Sequence, residues 1–261
     1  MKTIKVLDLF SGIGGFALAE RMLGGFETVA FCEIDNYCQQ VLAKNFPNTP
    51  IFNDVTTLTV DTLRLRGINE INAVIGGFPC QGNSTANTKG KGLKDLRSGL
   101  WFEMLRIIKQ TQPRYVVVEN VPPTENRRWD ITARAGLEEL GYTVCALPIS
   151  AAEVGANHLR KRLFIVAHSG GLGISKTKTF RTLSSKSAYE IQSTWWKGFG
   201  EPRRGNSGRV FLTPRHWACP VDDGLPIRLA RLKALGNAVV PQCAIVPLRN
   251  ILALEKLISE E

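Results

Sequence analysis

The 261-residue sequence has no apolar run of about 18 residues, the length a membrane helix needs, so no membrane-crossing segment is expected. Its six cysteines, Cys32, Cys38, Cys80, Cys145, Cys219 and Cys243, include no Cys-x-x-Cys pair, and their spacing suits no zinc site. No metal is therefore expected. The opening MKTIKVLDLF runs directly into Ser11-Gly12, too short and too early for a secretory leader. A cytosolic protein with reduced thiols is the expectation, most of them small core residues and one available for chemistry. There is no internal repeat. With 44% hydrophobic and 21% charged residues, the composition excludes disorder, collagen and coiled coil as descriptions of the whole. Acidic residues are in short supply: 23 Asp and Glu face 33 Lys and Arg, a net charge of +10 that favours a polyanionic partner.

What is present alternates between two periods. Ile4–Phe10, Thr28–Cys32, Ala73–Ile75, Tyr115–Val118 and Leu163–Ala167 read as short buried strands. Helices are expected over Phe16–Leu23, Asn36–Asn45, Leu100–Lys109, Thr132–Leu140, Arg228–Leu235 and Pro241–Ile258. Leu100, Met104, Leu105 and Ile108 share one face of the third, and Gly141 stops the fourth. Strands apolar throughout and alternating with helices imply a parallel, doubly wound α/β sheet.

The pattern breaks after His168. Between Gly170 and Val221 nine Lys and Arg face two Glu, so this stretch carries +7 of the total charge. It is rich in Ser, Thr and Gly, holds Trp195-Trp196 and Phe199, and lacks helical periodicity. Charge interleaved with aromatics favours a nucleic-acid surface over a solvated loop. The Trp pair also suits a small core of the insert's own.

Three segments carry candidate chemistry. In Asp8-Leu9-Phe10-Ser11-Gly12-Ile13-Gly14-Gly15-Phe16 a strand ends in a glycine-rich turn that opens a helix, allowing a ligand close to the backbone. Glu33, at the tip of the next strand and about 20 residues on, has the spacing of an acid that bonds ribose hydroxyls; Asn53-Asp54-Val55 offers a further carboxylate after another short strand. In Gly76-Gly77-Phe78-Pro79-Cys80-Gln81-Gly82-Asn83-Ser84, Cys80 follows a rigid proline directly after a buried strand, an unusual setting for a core cysteine. In Glu119-Asn120-Val121 a carboxylate stands at the tip of a buried strand, suited to proton work, although a helix cap or surface acid would read the same way.

In this order the segments resemble the DNA (cytosine-C5) methyltransferases: DLFSGIGGF their cofactor loop, GGFPCQ their Pro-Cys loop, ENV their catalytic Glu motif. His158-Leu159-Arg160-Lys161-Arg162 is similar to their Gln-x-Arg-x-Arg segment, and Gly236-Asn237-Ala238-Val239-Val240-Pro241-Gln242 to their last motif. The compact length and the stretches Arg97–Ile108 and Leu232–Gln242 look most like phage or prophage members. The resemblance implies a Rossmann-like S-adenosylmethionine-dependent methyltransferase fold with a small basic target-recognition domain. Residues 1–169 would bind cofactor and catalyse, 170–224 would recognise the target, and 225–261 would return to the catalytic domain, the last helix beside the first strand.

The resemblance further implies a role for each matching residue. Cys80 would be the nucleophile, Glu119 would contact cytosine N3, and Arg160 and Arg162 would support the base and Glu119. Phe10, Ser11, Gly12, Gly14, Gly15, Glu33, Ile34, Asp54, Val55, Pro79, Leu100 and Asn237 would form the cofactor site, with S-adenosylhomocysteine as product. Double-stranded DNA would be the partner, gripped by Ser84, Lys89, Lys91, Arg97, Arg203 and Arg204. A monomer in the cytoplasm of a bacterial or phage-infected host cell is expected. Restriction-modification would need a nuclease from another chain. The sequence departs from the family at His158, Leu159, Gly82-Asn83 and Pro122-Pro123, and these departures bear on loop closure and base contacts. They leave room for a non-catalytic DNA-binding relative, a tRNA-acting branch, or transfer of another group from a modified cofactor.

Overall fold

The structure is a computed structural model describing residues 2–79, 99–125, 128–156, 158–170, 202–204, 210–212 and 225–259. Seven strands form one sheet: β1 (Ile4–Leu9), β2 (Phe26–Cys32), β3 (Ile51–Phe52), β4 (Ala73–Gly76), β5 (Tyr115–Asn120), β6 (Tyr142–Ser150) and β7 (Lys161–Ser169). Their order across the sheet is β3-β2-β1-β4-β5-β7-β6. β1 to β5 are parallel, as their unbroken apolar runs predict. The wholly parallel sheet expected from sequence is corrected at the far side, where β7 runs antiparallel to both β5 and β6. Only a 3-10 turn (Ala151–Val154) and a short link join β6 to β7, too little chain for the crossover that parallel pairing demands.

Helices cover both faces. Alternate residues of the central strands, Val6, Ile75, Val117 and Val166, pack under α1 (Gly15–Leu23) and the last helix, α7 (Pro241–Ser259). The other alternates, Leu7, Val74, Val116 and Ile165, pack under α3 (Val60–Arg64), α4 (Leu100–Thr111) and α5 (Trp129–Glu139). Trp101 and Trp129 lie fully buried on this side against Phe78. α2 (Asn36–Asn45) is capped by Asp35, whose carboxylate accepts from the amides of Tyr37 and Cys38. α6 (Leu225–Asn237) leads into α7.

α7 shares its core with α1 and β1, the return expected from sequence. The stretch Lys233–Ser259 nevertheless has the length and mean hydropathy, 1.3, of a membrane-crossing helix, which corrects the reading that no segment is so apolar. Half of its most apolar window is buried inside the protein, as in the core helix of a folded domain. In the basic insert, β8 (Pro202–Arg204) pairs antiparallel with β9 (Val210–Leu212), so Arg203 and Arg204 lie on a strand opposite Phe211 and Val210.

Candidate active site

Parallel strands end at one edge of the sheet, and the reversed β7 begins there. β1 delivers Phe10 to Gly15 to that edge, β2 delivers Glu33, β4 delivers Gly77, and β5 delivers Glu119. The antiparallel course of β7 is what sets Arg160 and Arg162 beside them; a parallel strand would carry both to the opposite edge. Ligand sites of doubly wound sheets lie at this edge.

The cofactor-loop half is fastened by its own backbone. The Gly12 amide donates to Glu33 Oε2 at 2.7 Å, and the Asp35 amide donates to Glu33 Oε1 at 2.8 Å. Ser11 donates through its amide to the Cys32 carbonyl and through its hydroxyl to the Asp8 carbonyl. Phe10 sits at φ 54°, a left-handed conformation that a bulky side chain adopts only when its surroundings force it. Ile34, next to Glu33, leaves 73% of its surface exposed, an apolar face open at the edge. Asp54 accepts from the amide and hydroxyl of Thr56, and Val55 beside it is buried. Leu100 opens α4, packed at the edge of the second core.

The other half centres on Glu119. It shares the sheet face of Tyr115 and Val117 and is 8% exposed. Arg162 Nε stands 2.8 Å from its Oε1, as an ion pair rather than an aligned hydrogen bond. Burial raises the Glu119 carboxyl above the usual range, and the charges of Arg162 and Arg160 draw it back. Gly77 faces it: a Cβ there would lie 2.8 Å from Glu119 Oε2, so only glycine leaves the carboxylate its place. Asn120 ties the two loops together, its side-chain amide donating to the Phe78 carbonyl and its Oδ1 accepting from the Val121 amide.

Arg160 is turned elsewhere. Its Nη1 donates to the Gly236 carbonyl at 2.9 Å and its Nη2 to the Ala238 carbonyl at 2.7 Å. Asn237, between them, is exposed at the end of α6. Cys80, Ser84, Lys89, Lys91, Arg97, Trp195, Trp196 and Cys219 lie outside the described residues. The four cysteines that are described, Cys32, Cys38, Cys145 and Cys243, are buried thiols, and burial pushes Cys32, Cys38 and Cys243 up to about 12. A thiol held so strongly protonated is a poor nucleophile. Among the described residues no group of three His, Cys, Asp or Glu side chains is placed to hold a metal ion.

A family model for C-5 cytosine-specific DNA methylases matches residues 4–210. The chain belongs to this family. Two Type II methyltransferases of Haemophilus parahaemolyticus are among its relatives. M1.HphI is 39% identical over 179 residues, covering 65% of this chain and 47% of that protein. M.HhaI is 32% identical over 174 residues, covering 66% and 51%. The chain spans about half the length of such curated relatives. In fold it is similar to a protein described as a DNA modification methyltransferase encoded within an E. coli prophage, with TM-score 0.64, 18% identity and 97% and 100% of the two chains covered. The Entamoeba histolytica methyltransferase EhMeth gives TM-score 0.63 at 16% identity, covering 97% and 99%. These likenesses place the chain on a Rossmann-like methyltransferase fold.

Two bracing residues of the family site carry almost no signal in the sequence. Gln39 donates from its amide to the Glu33 carbonyl at 2.6 Å and reaches Asn53 Oδ1 at 3.3 Å, joining the tips of β2 and β3. Its one signal is position: one helical turn after the cap Asp35, it must face the same edge. Arg106 donates to the carbonyls of Val55 and Leu58 and pairs with Glu103, so α4 holds the Asp54 segment. An Arg between Leu105 and Ile107 gives no sign of this without the fold.

Proposed function

We propose that the protein methylates C5 of a flipped-out cytosine in double-stranded DNA, using S-adenosylmethionine and a covalent bond between Cys80 and cytosine C6. The observation that carries this reading is the buried Glu119–Arg162 pair, seated against Gly77 at the edge that also holds the Gly12–Glu33 loop.

The cofactor half fits an adenosyl ligand. A Cβ on Gly12 would meet nothing within 4 Å, leaving open space above the loop amides. Each Glu33 oxygen takes one amide and keeps a lone pair for a ribose hydroxyl. Exposed Ile34 offers an adenine an apolar face beside that carboxylate. Asp54 extends the acidic rim, while Arg106 and Gln39 keep rim and carboxylate in register. When bound, S-adenosylmethionine supplies an electrophilic sulfonium methyl group.

The catalytic half answers the low nucleophilicity of cytosine C5. Cys80, as thiolate, adds to C6, and its electron pair makes C5 enamine-like. Glu119, whose burial strengthens its hold on a proton, hydrogen-bonds N3 and absorbs the charge that develops there. Arg162 fixes the direction of that carboxyl group and Gly77 gives it room. After methylation the C5 proton is lost to a base and the thiol leaves by elimination, restoring the aromatic ring. The target atom is out of reach inside a duplex, so the base must leave the stack. The basic residues of the 170–221 stretch, Arg203 and Arg204 among them, grip phosphates and read base edges.

DNA containing 5-fluorocytosine tests this reading. Fluorine cannot leave C5 as a cation, so methylation strands the enzyme on its substrate. The expected result is a covalent protein–DNA adduct that requires S-adenosylmethionine and is lost in Cys80→Ala. An adduct in Cys80→Ala, or none in the wild type despite cofactor and DNA binding, contradicts it.

A further inference from the structure

Resting on the reading above, we infer that Arg160 is a positioning residue for the cofactor: it latches the α6–α7 junction over the cofactor loop, rather than acting on the base. The need for such a latch follows from helix chemistry. The last carbonyls of a helix have no partner within it, and the helix dipole leaves that end negative. α6 carries no basic residue in its last turn. Arg160, from the entrance to β7, supplies the missing cation and donates to the carbonyls of Gly236 and Ala238, on either side of Asn237. A planar guanidinium fork bonded to two carbonyls fixes both position and direction, which a single ammonium does not.

The latched segment meets the cofactor half at two further points. A Cβ on Gly15 would lie 2.7 Å from the Val239 carbonyl oxygen, so the junction rests directly on the start of α1. Lys233 of α6 pairs with Asp35 at 3.0 Å, and the Asp35 amide is one of the two that hold Glu33. From Arg160 the contacts therefore run through the junction to both the glycine loop and the ribose carboxylate. Arg162, two residues on, separately holds Glu119. The neighbouring arginines divide the labour: one serves the cofactor side and the other the catalytic carboxyl.

Arg160→Lys keeps the charge and loses the fork. S-adenosylhomocysteine binding, measured by calorimetry without DNA, is expected to weaken roughly tenfold. The KM for S-adenosylmethionine should rise in parallel, with kcat held within about threefold. Hydrogen exchange at residues 238–244 should quicken in the free protein, a readout independent of ligand. Lys233→Ala, at a side chain 62% exposed, leaves the fold intact and loosens the same helix, so it should weaken binding in the same direction by a smaller factor. Unchanged affinity and exchange in Arg160→Lys, with a fall in kcat alone, would overturn the latch and return Arg160 to the base. A wild type that binds no S-adenosylhomocysteine would overturn the functional reading and the latch with it, whereas normal wild-type binding matched by both variants overturns the latch alone.

Discussion

Glu20 illustrates how a residue beneath the site sets the conditions under which the site survives. It is 2% exposed on α1, takes a hydrogen bond from the Thr28 hydroxyl, and is pushed by burial to about 7. Unfolded, the same carboxyl titrates near 4.5. The protonated form therefore favours the fold fully below pH 4.5, and that advantage is lost as the pH rises through 7. Glu20→Gln keeps the acceptor for Thr28 and cannot ionise. It should raise stability at pH 8 by about 3 kcal/mol, since each tenfold difference in proton affinity between folded and unfolded chain is worth about 1.4 kcal/mol, and the gain should vanish below pH 4.5. Thermal melts at both ends of that range check it; an equal effect at both would show that ionisation is not the cause. Asp8, on the adjoining strand and wholly buried, is driven well above its usual range by the same burial and by the charges of Glu20 and Glu33. The glycine loop thus rests on buried acids.

At the scale of elements, the β4 tip and the β5 tip are fitted to one another. Gly77→Ala would set a methyl 2.8 Å from Glu119 Oε2 and push the carboxyl off its place. The position needs no left-handed backbone, so the fold should lose about 1 kcal/mol or less. A displacement of order an ångström should lower kcat about a hundredfold. Kinetics beside a thermal melt check it; intact turnover would show that Glu119 tolerates the shift. The parallel core was legible because β1, β2, β4 and β5 are apolar on both faces, and the cofactor loop because glycines follow a strand. β6 escaped because Tyr142–Ser150 contains Pro148, which reads as a break; at a sheet edge its missing N–H costs nothing. The direction of β7 was equally hidden, since an apolar run carries no sign of parallel or antiparallel pairing. With it went the reason Arg160 and Arg162 reach the catalytic edge, and their division of labour. Residue types at the site were readable from motif spacing, whereas Gln39 and Arg106 act through backbone carbonyls that only the tertiary fold brings within reach.

For the molecule as a whole, the sheet edge joins a loop fitted to an adenosyl ligand to a buried acid fitted to a cytosine. Most of the excess positive charge lies in one segment of the chain. The most direct test of that union is methyl transfer from labelled S-adenosylmethionine to mixed-sequence duplex DNA, with Cys80→Ala in parallel and the modified bases mapped. Label at C5 of cytosine within one short shared context, absent with Cys80→Ala, is the predicted result. No label on duplex DNA, from protein that binds both cofactor and DNA, would contradict it.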